Sequence, residues 1–167
     1  MPIPAVSIFT PTYNRSHVLG RAYQSLCRQT CLDFEWVVAD DGSTDGTEAL
    51  VCSWIPAAPF PIRYLRFPHR GKPYAMRDGF AECRGEYLYE LDSDDELAPT
   101  AVERGLSIWA SLDCPEQYHD VNGWGWVPET GRPTGLPFPE NMNCFSKRRQ
   151  RHLCFKLGKG AGLCGEQ

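Results

Sequence analysis

Tyr87-Leu88-Tyr89-Glu90-Leu91-Asp92-Ser93-Asp94-Asp95 is a largely apolar, strand-like run that stops in three carboxylates. A buried strand with this ending places hard oxygen ligands at the carboxyl edge of a sheet, where open α/β folds keep their ligands. The arrangement recurs upstream, where Phe34-Glu35-Trp36-Val37-Val38-Ala39 runs into Asp40-Asp41-Gly42-Ser43. Two acidic strand ends in one small domain suggest a nucleotide site at which a divalent metal meets a diphosphate.

Around these two runs the chain alternates strand and helix patterns, which predicts a mainly parallel, Rossmann-like α/β sheet flanked by crossover helices. Val6-Ser7-Ile8-Phe9-Thr10 reads as the first strand. Val18, Leu19, Ala22, Tyr23, Leu26 and Cys27 recur at helical spacing, predicting a helix over 17–29. Asp45-Gly46-Thr47-Glu48 resembles a capping box and opens a helix reaching Trp54, stopped by Pro56 and Pro59. Residues 62–67 read as a third strand, 74–83 as a helix, 87–91 as a fourth strand and 100–112 as a last helix. Asn122-Gly123-Trp124-Gly125-Trp126-Val127, followed by the turn Glu129-Thr130-Gly131, predicts a C-terminal hairpin. Trp124 and Trp126 share one face of it, packed on the domain or, in the alternative reading, stacked on a sugar. From Pro137 onward no periodicity appears. The expected organisation is a ligand-binding domain over 1–140 and an irregular basic, Cys-containing tail over 141–167.

Composition narrows the function classes. One domain of ordinary size accounts for 167 residues. A net charge of −4 argues against a general nucleic-acid binder, which carries a basic surface for phosphates. The single basic run, Lys147-Arg148-Arg149-Gln150-Arg151-His152, reads as a solvated tail, with peripheral contact to an anionic membrane face as its alternative. The eight cysteines are dispersed without a C-x-x-C pair, so zinc is not expected. No signal-peptide pattern opens the chain and no run approaches the ~20 apolar residues of a membrane helix. The expectation is a cytoplasmic protein with reduced thiols, at most peripheral to the inner face of a membrane.

Alternative metal sites are testable on paper. An EF-hand loop beginning at Asp41 matches Ser43, Asp45 and Gly46, but its twelfth position is Cys52 where a bidentate Glu is required. Asp-x-Asp after a strand also occurs in haloacid-dehalogenase-like phosphatases. Their motif continues to Thr or Val two residues later, where Glu96 stands here, and this remains an alternative enzyme class.

Taken together and in order, several motifs resemble the inverting glycosyltransferases of family two, which have the GT-A fold. They are Pro11-Thr12-Tyr13-Asn14, Gln29-Thr30, Phe34-Glu35, Asp40-Asp41-Gly42-Ser43-Thr44-Asp45, Arg77-Asp78-Gly79, Gly85-Glu86-Tyr87 and Leu91-Asp92-Ser93-Asp94-Asp95. The resemblance covers 6–102. It implies a nucleotide-diphosphate sugar as donor, UDP by preference, and a glycan, lipid or protein as acceptor. It implies that Tyr13 stacks on the base, that Asp41 accepts the imide N–H of uracil, and that Asp40, in the donor-binding set, supports the loop or assists Asp41. Thr10, Pro11 and Ser93 fall in the same donor-binding set. Asp92 is similar to the family's residue near ribose and metal, Asp94 to the direct ligand of Mn²⁺ or Mg²⁺, and Asp95 extends that site. Lys72 and Arg77 lie in the segment bordering the donor, where a cation would hold phosphate oxygens.

Two departures from the family pattern carry expectations of their own. Asp78 follows Arg77 where Asn is usual. Inverting transfer also needs a general base to deprotonate the acceptor hydroxyl, and the only acid after Glu140 is Glu166. The Gln-x-x-Arg-Trp signature of processive polysaccharide synthases is absent. Glu166 is therefore the candidate base, and the alternative is a truncated domain that binds donor without turnover.

Overall fold

The computed structural model describes residues 3–111 together with short strands at 126–127, 132–133 and 154–156. Four parallel strands form the sheet: β1 (Val6–Thr12), β2 (Phe34–Asp40), β3 (Ile62–Arg66) and β4 (Tyr87–Glu90). The helices α1 (Leu19–Cys27), α2 (Thr47–Trp54) and α3 (Lys72–Phe80) make the crossovers, and α4 (Ala101–Ser111) follows β4. The order is β3-β2-β1-β4, with β7 (Cys154–Lys156) added antiparallel on β4. A separate pair, β5 (Trp126–Val127) and β6 (Arg132–Pro133), forms the expected hairpin. Trp124 and the ends of that hairpin lie outside the described residues.

All seven residues of β1 and all seven of β2 are buried, which is why both read as near-continuous runs rather than alternating ones. Period two still sorts their side chains between two cores. Val6, Ile8, Trp36, Val38, Tyr89 and Leu91 face Leu19, Leu26, Val51, Ala101 and Val102. Phe9, Val37, Ala39 and Leu88 face Met76 and Phe80. On the first side Tyr23 stacks on Trp54 at 4.4 Å between ring centres, an aromatic layer that joins α1 to α2.

The boundaries differ from the sequence reading in instructive ways. β1 runs two residues past Thr10, because Pro11 and Thr12 stay in register with Ala39 and Asp40. α1 ends before Gln29, whose amide is engaged elsewhere: it donates to Ala98 O at 2.8 Å and accepts from Val102 N at 3.2 Å. α3 starts at Lys72 rather than Tyr74, since Pro73 sits in its first turn, where a missing N–H costs nothing. Glu48 does not close a capping box; it pairs with Arg66 at 2.8 Å, while the Asp45 N–H goes to Asn14 Oδ1. The tail, expected to be irregular, supplies β7.

At the amino edge of the sheet a buried polar knot fixes β4. Ser7 Oγ donates to Glu35 Oε1 at 2.6 Å and accepts from Gly85 N at 2.8 Å; Glu35 Oε1 also accepts from Arg84 N at 2.8 Å. The chain approaches so closely that a Cβ on Gly85 would lie 2.6 Å from the Val6 carbonyl carbon. Tyr87 consequently pairs with Val6. Cys27, Cys31, Cys52 and Cys83 are free thiols, and no described helix is long and apolar enough to cross a membrane.

Gly85→Ala tests this packing. The added methyl meets backbone, which cannot rotate away, so the expected loss is about 1–3 kcal/mol, read as a lower urea midpoint.

Candidate active site at the carboxyl edge of the sheet

The strand order reverses at β1, because β2 and β3 lie to one side of it and β4 to the other. Open α/β sheets bind ligands in the crevice outside the carboxyl ends at such a switch point. A cleft of about 360 Å³ lies there, lined by the end of β1 (Pro11, Thr12, Tyr13), by Asp41 after β2, by Lys72 and Ala75 of α3, by Asp92, Ser93 and Asp94 after β4, and by Arg15.

Two neighbouring aspartates, the last of β2 and the first beyond it, serve different ends. Asp40 is fully buried. It accepts from Ser43 N at 2.8 Å, from Ser43 Oγ at 2.6 Å and from the Tyr64 hydroxyl, so it supports the turn and does not reach the cleft. Burial and Asp40 hold that phenol well above its ordinary pKa, keeping it a donor. Asp41 does line the cleft. Its Oδ1 accepts from Arg70 N at 2.9 Å and its Oδ2 from Gly71 N at 2.8 Å, with His69 Nδ1 also 2.8 Å from Oδ2. Burial acts to raise its pKa, but those backbone donors and His69 outweigh burial and hold it below the usual carboxylate value.

Beside Asp41, the Tyr13 ring is partly exposed and stacks on His69 at 4.1 Å between centres. The loop behind it is fixed by Asn14, whose left-handed backbone (φ 51°) aims Oδ1 at Thr44 N, 2.8 Å away. Asp45 completes the clamp, taking Ser16 N and Oγ on one oxygen and Thr47 N and Oγ1 on the other. Thr12 Oγ1, on the cleft floor, is buried and has no hydrogen-bond partner among the described residues.

Across the cleft stands the acidic edge. Lys72 Nζ lies 2.8 Å from Asp92 Oδ1 and 3.4 Å from Glu90 Oε1. Burial disfavours its charge, but the hydrogen bond and charge of Asp92, with Glu90, outweigh burial and raise its pKa. Asp94 is exposed and its carboxylate makes no hydrogen bond or ion pair among the described residues. Among those residues no three His, Cys, Asp or Glu side chains converge as a metal cage. Mg²⁺ and Mn²⁺ do not require one, since phosphate oxygens and water complete a shell begun by one or two carboxylates. Asp92 and Asp94 fit that requirement.

Of the residues expected from sequence, the cleft therefore gathers Pro11, Tyr13, Asp41, Lys72, Asp92, Ser93 and Asp94. Four are placed elsewhere. Thr10 is fully buried and accepts the Trp36 indole N–H at 2.9 Å, because inward-facing positions of β1 belong to the core. Asp40 lies beneath the turn. Arg77 is held by Asp78 Oδ1 at 2.6 Å and leans on Tyr74, so the Asp at position 78 draws the guanidinium away from the cleft. Asp95 is not part of the lining; its N–H closes a turn onto Asp92 O at 3.0 Å. Glu166 lies outside the described residues. Sequence reasoning missed Arg15, Thr12, His69 and the two backbone donors at 70 and 71. For Thr12 and Arg15 the signal lay in or beside Pro11-Thr12-Tyr13-Asn14, whereas His69 and the donors at 70 and 71 act on Asp41 across separations of 28, 29 and 30 residues that no local pattern encodes.

Comparison with known proteins places the chain in a family and its fold in a class. Residues 7–158 match Glycosyl transferase family 2. The lipopolysaccharide core biosynthesis glycosyltransferase LpsC of Rhizobium meliloti (strain 1021) is 38% identical over 163 residues, which is 96% of this chain and 54% of that protein. The chondroitin synthase of Escherichia coli is 39% identical over 101 residues, 60% of this chain and 15% of that protein. Among solved structures, S. aureus TarS 1-349 in complex with UDP superposes with a TM-score of 0.59 at 25% identity, over 63% of this chain and 32% of that one. The mannosyltransferase PcManGT from Pyrobaculum calidifontis, in complex with GDP-Man and Mn²⁺, superposes with a TM-score of 0.64 over 93% of this chain and 45% of that one. At 19% identity it speaks to the fold alone. The fold is thus the GT-A-like α/β class. Within that class, the chain belongs to glycosyl transferase family 2. It spans only 15% of the Escherichia coli chondroitin synthase and about half of LpsC.

The Asp45 clamp makes an acid-stability prediction. Burial acts to raise its pKa, but the donors from Thr47 and Ser16 outweigh burial and hold it down at about 2, below the ordinary 3.8. A depressed folded-state pKa contributes stability that is full above 3.8 and is lost as pH falls through about 2. Asp45→Asn is expected to lower the urea midpoint at pH 7 and to flatten its decline between pH 4 and about 2.

Proposed function

We propose that the cleft binds a nucleotide-diphosphate sugar with uridine as its nucleoside, and that the chain acts as the donor-binding domain of an inverting glycosyltransferase assisted by Mn²⁺ or Mg²⁺. The observation that carries this reading is the division of the cleft into two chemically distinct ends. One end offers a flat ring, Tyr13, beside a charged acceptor, Asp41, the pair a base with a ring N–H would use. The other offers a cation, Lys72, beside hard oxygens on Asp92 and Asp94. Between them lies the unpartnered Thr12 hydroxyl, a polar group suited to a ligand rather than to the core.

Family membership supports the transferase reading, and the UDP and UDP-GlcNAc complexes of TarS support the donor class. Asp92 and Asp94 would hold the metal ion, whose chemistry when bound is to neutralise the diphosphate and stabilise its charge as it leaves. Lys72, released from Asp92, would serve the phosphate oxygens as a second cation.

Calorimetry with UDP tests the metal assignment. UDP is expected to bind more tightly with Mn²⁺ than without it, and Asp94→Ala to abolish that difference. Equal affinity in both conditions for the wild type removes the metal from the reading. A second titration tests the base end. Asp41→Asn is expected to weaken UDP about tenfold or more, while leaving Mn²⁺-pyrophosphate binding within about twofold, because a hydrogen bond to a charged acceptor is worth about 1.5–3 kcal/mol. A comparable loss for both ligands would assign Asp41 to loop support instead.

A further inference from the structure

His69 is not explained by packing. Its side chain is 55% exposed, yet it is held by two groups of the base end at once. Its ring lies on Tyr13 with planes 14° apart, and its Nδ1 stands 2.8 Å from Asp41 Oδ2 and 3.0 Å from Asp41 O. Both of those oxygens can only accept, so Nδ1 carries a proton whether the ring is neutral or charged. The imidazole is therefore a fixed donor to Asp41.

The number of acceptor positions left on Asp41 follows. A carboxylate offers about four lone-pair sites, two per oxygen. Oδ2 takes Gly71 N–H, and His69 Nδ1, whose one proton is shared with Asp41 O, stands 2.8 Å away and occupies its second site. Oδ1 takes Arg70 N–H and keeps one site. Uracil presents one ring N–H and needs one acceptor. Guanine presents N1–H beside its exocyclic N2–H and pairs best with both oxygens of a carboxylate. Cytosine has no hydrogen on the corresponding ring nitrogen. Two of the donors on Asp41 are backbone groups, which no side-chain exchange other than proline removes. Their segment is pressed onto the Asp41-Gly42 turn, where a Cβ on Gly42 (φ +78°) would lie 2.9 Å from His69 N. Among the described residues His69 is the one side chain whose exchange alters how many acceptors Asp41 presents.

The geometry points to His69 as a specificity-determining residue: by filling the last site on Asp41 Oδ2 it leaves a single acceptor, and so restricts the cleft to uracil over guanine. This rests on the nucleotide reading above. Two variants of the full chain separate its contacts. His69→Phe keeps a flat ring for Tyr13 and removes the donor; His69→Asn removes the ring and keeps an N–H donor. Each is titrated with UDP, GDP and pyrophosphate in Mn²⁺. The ratio of UDP to GDP affinity is expected to fall about tenfold in His69→Phe and to stay within about threefold of wild type in His69→Asn. An unchanged ratio in His69→Phe overturns the inference. So does an equal loss of all three ligands in both variants, which marks a merely structural side chain. A wild type that binds UDP no better than pyrophosphate defeats the nucleotide reading itself, and the inference with it.

Discussion

The position of the acidic edge depends on one buried contact at the opposite end of the sheet. Glu35 is 3% exposed, and a carboxylate so deep is tolerable only when donors surround it. Ser7 Oγ and Arg84 N supply them, and the Arg63 guanidinium adds an opposite charge at 3.7 Å. In satisfying Glu35, the chain brings Gly85 against Ser7 and starts β4 opposite Val6. β4 is only four residues long, so the register set there decides which side chains emerge at Asp92 and Asp94. A slip of one residue would turn every side chain of the strand to the other face and carry the carboxylates away from the cleft. The polar knot and the site lie at opposite ends of β4 and act as one constraint.

The two walls of the cleft are built differently. On the β2 side nearly every functional group is tied to backbone N–H groups: Asp40 to Ser43, Asp41 to Arg70 and Gly71, Asn14 to Thr44, Asp45 to Thr47. Such a wall loses little freedom when a ligand arrives. On the β4 side the partners are side chains, with Lys72 bridging to Asp92 and Asp94 left exposed. Behind that edge Gln29 and Thr30 hold Ala98, Pro99 and Val102, which gives Gln29-Thr30 a structural reason distant from the chemistry.

Much of the fold was legible because β2 and β4 are buried runs ending in acids, a pattern that marks both a strand and its functional end. Position-by-position reading of the site was less complete, and Thr10 and Arg77 show why. Thr10 is one residue from cleft-lining Pro11, but alternation along β1 turns it toward Trp36. Arg77 carries the right charge in the right segment, and Asp78, itself shared with Arg70, removes it from use. The role of His69 depends on Tyr13 and Asp41, which arrive from two other strands. β7 was invisible because three residues in a basic stretch have no period of their own, and only the free edge of β4 gives them a partner.

The Lys72 bridge has a further consequence for how the cleft can fill. Because one ammonium already sits on Asp92 and near Glu90, the edge rests as an internal zwitterion and is spared the mutual repulsion of bare carboxylates. Whatever enters must trade partners rather than add charge. A cation arriving alone would strand the ammonium, and an anion arriving alone would strand Asp92. A ligand that carries both signs would satisfy each in a single exchange, with the exposed Asp94 carboxylate beside it for the cation.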